Sequence, residues 1–137
     1  MADGAAEAAR FRRYIAAFNA QDYPALVEHY DPDVLLVIGN GTEMRGRQAI
    51  VDFYREVNAK TRREIRILDV FSDGTTVAAE IESEFLAIED APDFSSGPMA
   101  KGDRLYLNSF AFYDIRDGRY ARVRAAVFRR EWKRLAR

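Results

Sequence analysis

The chain has 137 residues, of which 48% are hydrophobic and 31% charged, and its formal net charge is −1. These values are typical of one globular domain rather than a disordered chain, and the balanced charge gives no overall field that attracts nucleic acid or an acidic membrane. The chain has no cysteine and one histidine, which excludes disulfides, thiolate catalysis and Cys- or His-based metal sites within one chain. We therefore expect no metal and no cofactor.

The amino-terminal segment and the hydropathy pattern indicate where in the cell the protein is located. Residues 1–10 are rich in alanine and include two acidic residues, whereas a secretory signal begins with a basic stretch followed by an apolar core. No apolar run approaches the ~20 residues that cross a bilayer. We expect a cytoplasmic protein that has no membrane or nucleic-acid partner.

The first half of the chain is predicted to be mainly helical. Two stretches carry apolar side chains at i, i+3, i+4 and i+7, the spacing of one buried helix face. These residues are Phe11, Tyr14, Ile15 and Phe18 in the first stretch, and Ile50, Phe53, Tyr54 and Val57 in the second. Between them, Asp22 is expected to cap a short helix with Leu26, Val27 and Tyr30 on its buried face. An apolar run at 34–38 and a return over 42–45 predict a short hairpin.

The second half is predicted to form four long strands, at residues 64–72, 75–89, 103–116 and 118–132. The second of these alternates between apolar residues such as Val77 and Ile81 and a row of glutamates, Glu80, Glu82 and Glu84. Helices followed by a run of strands indicate an α+β fold, with three helices packed on a strongly curved, mostly antiparallel sheet. We expect one domain over residues 1–137.

Three segments resemble known proteins. Residues 13–22, with the sequence Arg-Tyr-Ile-Ala-Ala-Phe-Asn-Ala-Gln-Asp, resemble the first helix of ketosteroid isomerases and SnoaL-like (polyketide cyclase-like) proteins of the NTF2-like superfamily. Residues 45–50 resemble the entry to their third helix, and residues 107–112 their fifth strand. The resemblance spans about residues 8–132. It implies a cone-shaped domain around one pocket for a small apolar or aromatic organic ligand.

The resemblance also implies site residues. Ketosteroid isomerases use a tyrosine of the first helix as an oxyanion donor, and Tyr14 matches it, with Tyr30 and Tyr54 at the positions of supporting tyrosines. Their second donor is a protonated carboxylic acid, and Asn108 occupies its position, where an amide donates at any pH. Tyr14 and Asn108 are therefore the predicted catalytic pair, on the assumption that Asn108 faces inward. The predicted substrate-binding residues are Phe18, Tyr30, Ile38, Tyr54, Phe110 and Phe112.

The general base of ketosteroid isomerases is missing. Their aspartate lies at the end of the first strand, where this chain has Val37, Ile38 and Gly39. Two other residues are weighed as substitutes: Glu43, near the hairpin, and His29, which is expected to face solvent.

The loop at residues 90–102 carries two apolar residues, Phe94 and Met99, and is expected to cover the pocket mouth and to be more mobile than the sheet.

Three functions remain open at this point. The first is an enzyme that cyclises, isomerises or dehydrates a carbonyl-containing ring or polyketide-like substrate. The second is a non-catalytic binding protein for an apolar ligand, and the third is an interaction module that uses the outer sheet face. The glutamate row, exposed or paired with Arg122 and Arg124, favours a homodimer formed through that face.

Overall fold

Helices precede the long strands along the chain, and the computed structural model describes residues 3–135. Within this range the helices are α1 (Gly4–Asn19), α2 (Tyr23–Val27) and α3 (Arg47–Lys60). The strands are β1 (Tyr30–Val37), β2 (Glu43–Arg45), β3 (Thr61–Ser72), β4 (Thr76–Ala87), β5 (Arg104–Arg116) and β6 (Arg119–Lys133). The predicted α+β fold, with helices packed on a mostly antiparallel sheet, is confirmed.

The described strands form one sheet in the order β2-β1-β6-β5-β4-β3. The β1–β6 pair is parallel, and the other neighbours are antiparallel. The register shifts between Ile67 and Asp69 in β3 and between Asn108 and Ser109 in β5. Such bulges bend a strand and increase its twist, which allows a sheet of long strands to wrap around the helices.

The α1 helix supplies the centre of the core. Asp3 precedes it and accepts a hydrogen bond from the backbone N–H of Ala5 at 3.0 Å, a favourable N-cap. The predicted apolar stripe is buried as expected, and its four residues are Phe11, Tyr14, Ile15 and Phe18. They pack on the inner face of the sheet, so the stripe positions Tyr14 and Phe18 between helix and strands.

Tyr30 does not lie on the second helix, as the spacing predicted. The α2 helix ends at Val27, and Tyr30 is the first residue of β1. The carbonyl of His29 accepts a 2.7 Å hydrogen bond from the backbone N–H of Tyr120, and Tyr30 pairs with Tyr120 across the sheet. Pairing with β6 therefore outweighs the local helical spacing, and Tyr30 is fully buried.

The glutamate row of β4 lies on the outer sheet face, but its partners differ from those predicted. Glu82 pairs with Arg66 of β3, and Glu84 pairs with Arg104 of β5 at 2.5 Å. The predicted pairing with Arg122 and Arg124 is wrong, because β5 lies between β4 and β6. Arg124 instead contacts Asp114 at 3.3 Å.

None of the helices within residues 3–135 combines the length and apolarity that a bilayer span requires.

Candidate functional site

A cavity of about 230 Å³ lies between the helices and the inner face of the sheet. Most of its walls are aliphatic and aromatic, with contributions from α1, α3, β1 and the four long strands. It is larger than the ~150 Å³ apolar cavity that accepts benzene in an engineered protein. A space of this size, with mainly apolar walls and some polar groups, can hold an organic molecule of one or two rings.

Four of the predicted site residues line the cavity: Tyr14, Phe18, Ile38 and Tyr54. They come from α1, from the turn after β1 and from α3, so the fold brings together residues up to 40 positions apart in the chain. Tyr30 lies behind Tyr14 and does not line the cavity. Tyr30 therefore contacts Tyr14 and not the cavity itself.

The predicted inward orientation of Asn108, Phe110 and Phe112 is wrong. These residues lie on the outer face of β5, where Phe110 and Phe112 are 53% and 50% exposed. The cavity is lined instead by the intervening residues of the strand, Leu107, Ser109 and Tyr113. Side chains alternate between the two faces of a strand, so an error of one residue moves the whole set to the other face. Both faces of β5 carry apolar residues, and the alternation alone does not distinguish them.

The tyrosines at the base of the cavity form a buried cluster. The hydroxyl oxygens of Tyr14 and Tyr30 lie 2.6 Å apart, and the ring of Tyr14 meets the edges of Tyr113 and Tyr120. Burial raises the pKa of Tyr14 well above its ordinary value, and the nearby Tyr30 is the second cause of this increase. Burial does the same to the pKa of Tyr30. Both hydroxyls are therefore protonated at neutral pH and able to donate hydrogen bonds.

Tyr54 belongs to a second polar group on the cavity wall. Its ring meets the edge of Phe18 at a centroid distance of 4.8 Å. Burial raises the pKa of Tyr54, whereas the charge of Arg63 and a hydrogen bond with it act in the opposite direction. Tyr54 is thus coupled to Arg63 rather than hydrogen-bonded to Tyr14.

Arg63 is a cavity residue that the sequence analysis missed. It is the third residue of β3 and faces inward, two positions before the buried Ile65. Its Nη2 donates to the hydroxyl of Ser83 at 2.9 Å. Extending the strand alternation backward from Ile65 would have placed it on the inner face. The predicted strand began one residue too late for that.

The residues weighed as substitute bases do not line the cavity. Glu43 is exposed on β2. His29 packs on the edge of Tyr14 and stacks on Tyr120, so it is half-buried rather than solvent-facing. Burial, followed by the charges of Arg10 and Arg13, lowers its pKa. Among the described residues, no aspartate, glutamate or histidine lines the cavity wall.

The loop between β4 and β5 lies against the cavity, as predicted. Phe94, Ser95 and Ser96 contribute to the cavity wall, and the ring of Phe94 packs against Phe85 at a centroid distance of 5.1 Å. A bridge between Ala91 and Met99 holds the base of the loop. The greater mobility expected of this segment stays a prediction.

Helices packed on a six-stranded, mostly antiparallel sheet, with a cavity between them, define the NTF2-like class of α+β domains. A family model described as a SnoaL-like domain matches residues 11–123, and the chain belongs to this family. The predicted relationship to SnoaL-like proteins is thereby confirmed. Comparison with curated proteins gives no significant match.

Solved structures of similar proteins agree with this assignment. A provisionally named polyketide cyclase from Xanthomonas campestris pv. campestris is 28% identical, with 85% of each chain covered and a TM-score of 0.74. Another, from Pseudomonas putida KT2440, is 30% identical over 82% of this chain and 84% of that chain, with a TM-score of 0.68. An LEH-like epoxide hydrolase from M. tuberculosis shares the fold at 15% identity, covering 88% of this chain and 81% of its own, with a TM-score of 0.69.

Proposed function

We propose that this protein binds a one- or two-ring organic molecule in the cavity and holds a carbonyl, enolate or phenolate oxygen at the hydroxyl of Tyr14. The observation that carries the proposal is the cavity of about 230 Å³, which reaches from the packed core to the surface residues Asn40, Ser95 and Arg130. Protein interiors are close-packed, and an unfilled cavity costs stability. A cavity of this size is therefore best understood as a ligand site.

The chemistry that this site supports is stabilisation of negative charge on oxygen. A hydroxyl that donates to an oxyanion lowers the energy of an enolate, the intermediate of many cyclisations, isomerisations and dehydrations. No carboxylate or imidazole of the described residues lines the wall, so the protein's own side chains do not supply a base there. We propose that a carbonyl-containing ring or polyketide-like substrate is bound and polarised, and that any proton acceptor is a water molecule or a group of the substrate. Binding without turnover is the alternative that the missing base favours.

A matched pair of alanine substitutions tests the location of the site. Ala125 of β6 lines the cavity, whereas its neighbour Ala126 is exposed opposite Phe110. Ala125→Phe is expected to fill the cavity and abolish binding of 2-naphthol in a calorimetric titration. Ala126→Phe is expected to bind as the wild type does. A wild-type protein that fails to bind any of a series of naphthols would contradict the proposal.

We propose that the outer sheet face makes this protein a homodimer. Phe110 stacks on Phe128 at a centroid distance of 4.4 Å, and both are more than half exposed. Phe71 and Phe112 flank a shallow groove of about 170 Å³ on the same face. A contiguous exposed aromatic patch of this kind favours burial against a second chain.

A cytoplasmic location also stays a proposal, to be tested by cell fractionation.

A further inference from the structure

The Arg63 side chain lies in the cavity wall without an acidic partner. Among the described residues, no carboxylate forms an ion pair with it, and its Nε is buried without a hydrogen-bond partner. Arg66, three residues further along the same strand, is on the outer face and pairs with Glu82 and Glu84. The outward-facing Arg66 is thus neutralised by carboxylates, whereas the inward-facing Arg63 is not.

Aromatic rings enclose the guanidinium of Arg63. Its central carbon lies 4.9 Å from the ring centre of Phe18 and 4.8 Å from that of Phe85. Rings in these positions favour the cation and shield part of it from water. In such a partly shielded site a charge interacts with an opposite charge more strongly than it would in water.

The remaining wall adds positive rather than negative charge. Arg130 of β6 also lines the cavity, and no acidic side chain among residues 3–135 does. The charge of Arg63 opposes the rise in the pKa of Tyr54 and of Tyr113 that burial causes. Arg63 therefore contributes a positive potential at these two hydroxyls.

A partly buried charge that has no opposite charge beside it costs free energy, and an anion bound next to it removes that cost. We infer that the cavity ligand carries a carboxylate, which accepts hydrogen bonds from Arg63 while the rings of the ligand fill the apolar space. Guanidinium and carboxylate groups match in plane and spacing, so this contact selects ring acids over neutral analogues. The inference rests on the proposed function, since it takes the cavity as the binding site.

Two probes of nearly equal shape test the charge preference. 2-Naphthoate is anionic at pH 7, whereas 2-naphthamide is neutral, and calorimetric titration measures the affinity of the wild-type protein for each. A hydrogen-bonded charge in such a site corresponds to a preference for naphthoate of about tenfold or more. Arg63→Gln is expected to bring the ratio of affinities to about one. Arg63→Lys is expected to retain part of it, because the charge remains but the planar donor pair is lost.

The control is Arg62→Gln, which removes the adjacent exposed arginine and is expected to keep the wild-type ratio. Circular dichroism checks that each variant is folded. If Arg63→Gln does not fold, Arg63→Met takes its place, because methionine retains the apolar stem. Equal wild-type affinity for the two probes overturns the inference and leaves the proposed function standing. A preference that survives loss of Arg63 also overturns it, and binding of neither probe contradicts both.

Discussion

The hydroxyl oxygens of Tyr14 and Tyr30 lie 2.6 Å apart, and of these two residues Tyr14 is the one that lines the cavity. If Tyr30 donates to Tyr14, the proton of Tyr14 is free to bind an oxygen in the cavity. Hydrogen bonds in such a chain polarise one another, and a low local dielectric strengthens them. In the proposed function, Tyr14 of α1 is the donor and Tyr30 of β1 positions and polarises it.

Removing the Tyr14 hydroxyl should weaken binding of an anionic oxygen. We expect Tyr14→Phe to reduce the affinity for acidic 2-naphthols by ~1.5–3 kcal/mol, the range for a hydrogen bond to a charged group. Tyr30→Phe should have a smaller effect, because it removes a supporting bond and not the contact itself. Calorimetric titration with naphthols of graded acidity measures both. Tyr106→Phe, on the outer face of β5, is the control, and equal affinity of Tyr14→Phe and wild type would rule out this oxyanion site.

The orientation of β5 predicts opposite results for two neighbouring residues. Asn108→Leu should leave naphthol binding unchanged, because Asn108 lies on the outer face. Ser109→Leu should weaken binding, because its larger side chain occupies part of the cavity that Ser109 lines. The same titration compares the two variants. A loss in Asn108→Leu as large as that in Tyr14→Phe would mean that β5 presents its other face to the ligand.

Disrupting the exposed aromatic pair should convert the proposed dimer into monomers. Phe110→Lys places a charge on the stacked pair with Phe128, and a second chain would have to bury that charge. Light scattering coupled to size-exclusion chromatography should show a dimer for wild type and a monomer for this variant. Ala16→Lys, at an exposed position of α1, is expected to remain dimeric. A monomeric wild type at high micromolar concentration would exclude the proposed interface.

His29 should make folding stability depend on pH below neutrality. Its pKa in the folded protein lies below the ordinary value of 6.5, chiefly because of burial. The unfolded chain therefore binds a proton more readily, so the stabilisation is complete above about pH 6.5 and is lost as the pH falls through the folded pKa. Urea unfolding midpoints between pH 7 and pH 5 should decline for wild type and decline less for His29→Gln. Identical slopes would show that His29 titrates normally.

Much of the fold follows from local patterns in the sequence. The apolar spacing of α1 and α3 and the alternation along β4 each specify one buried face, because residues of opposite polarity separate the two sides. The order of helices and strands, with the segments that resemble SnoaL-like proteins, was sufficient to predict the family. Apolar patterns predicted that Tyr14, Phe18, Ile38 and Tyr54 are buried, and the resemblance to ketosteroid isomerases indicated that they belong to the site.

The face of β5 that forms the cavity was decided by the tertiary structure alone. Odd-numbered residues of β4 pair with odd-numbered residues of β5, so that Ser83 faces Leu107 and Val77 faces Tyr113. A loop of 16 residues separates the two strands, and a connection of that length does not determine their register. Aromatic side chains on the outer face of β5 made that face resemble a core. The role of Arg63 could not be predicted for a related reason. Its chemistry depends on the rings and hydroxyls around it, and those come from α1, α3 and β4.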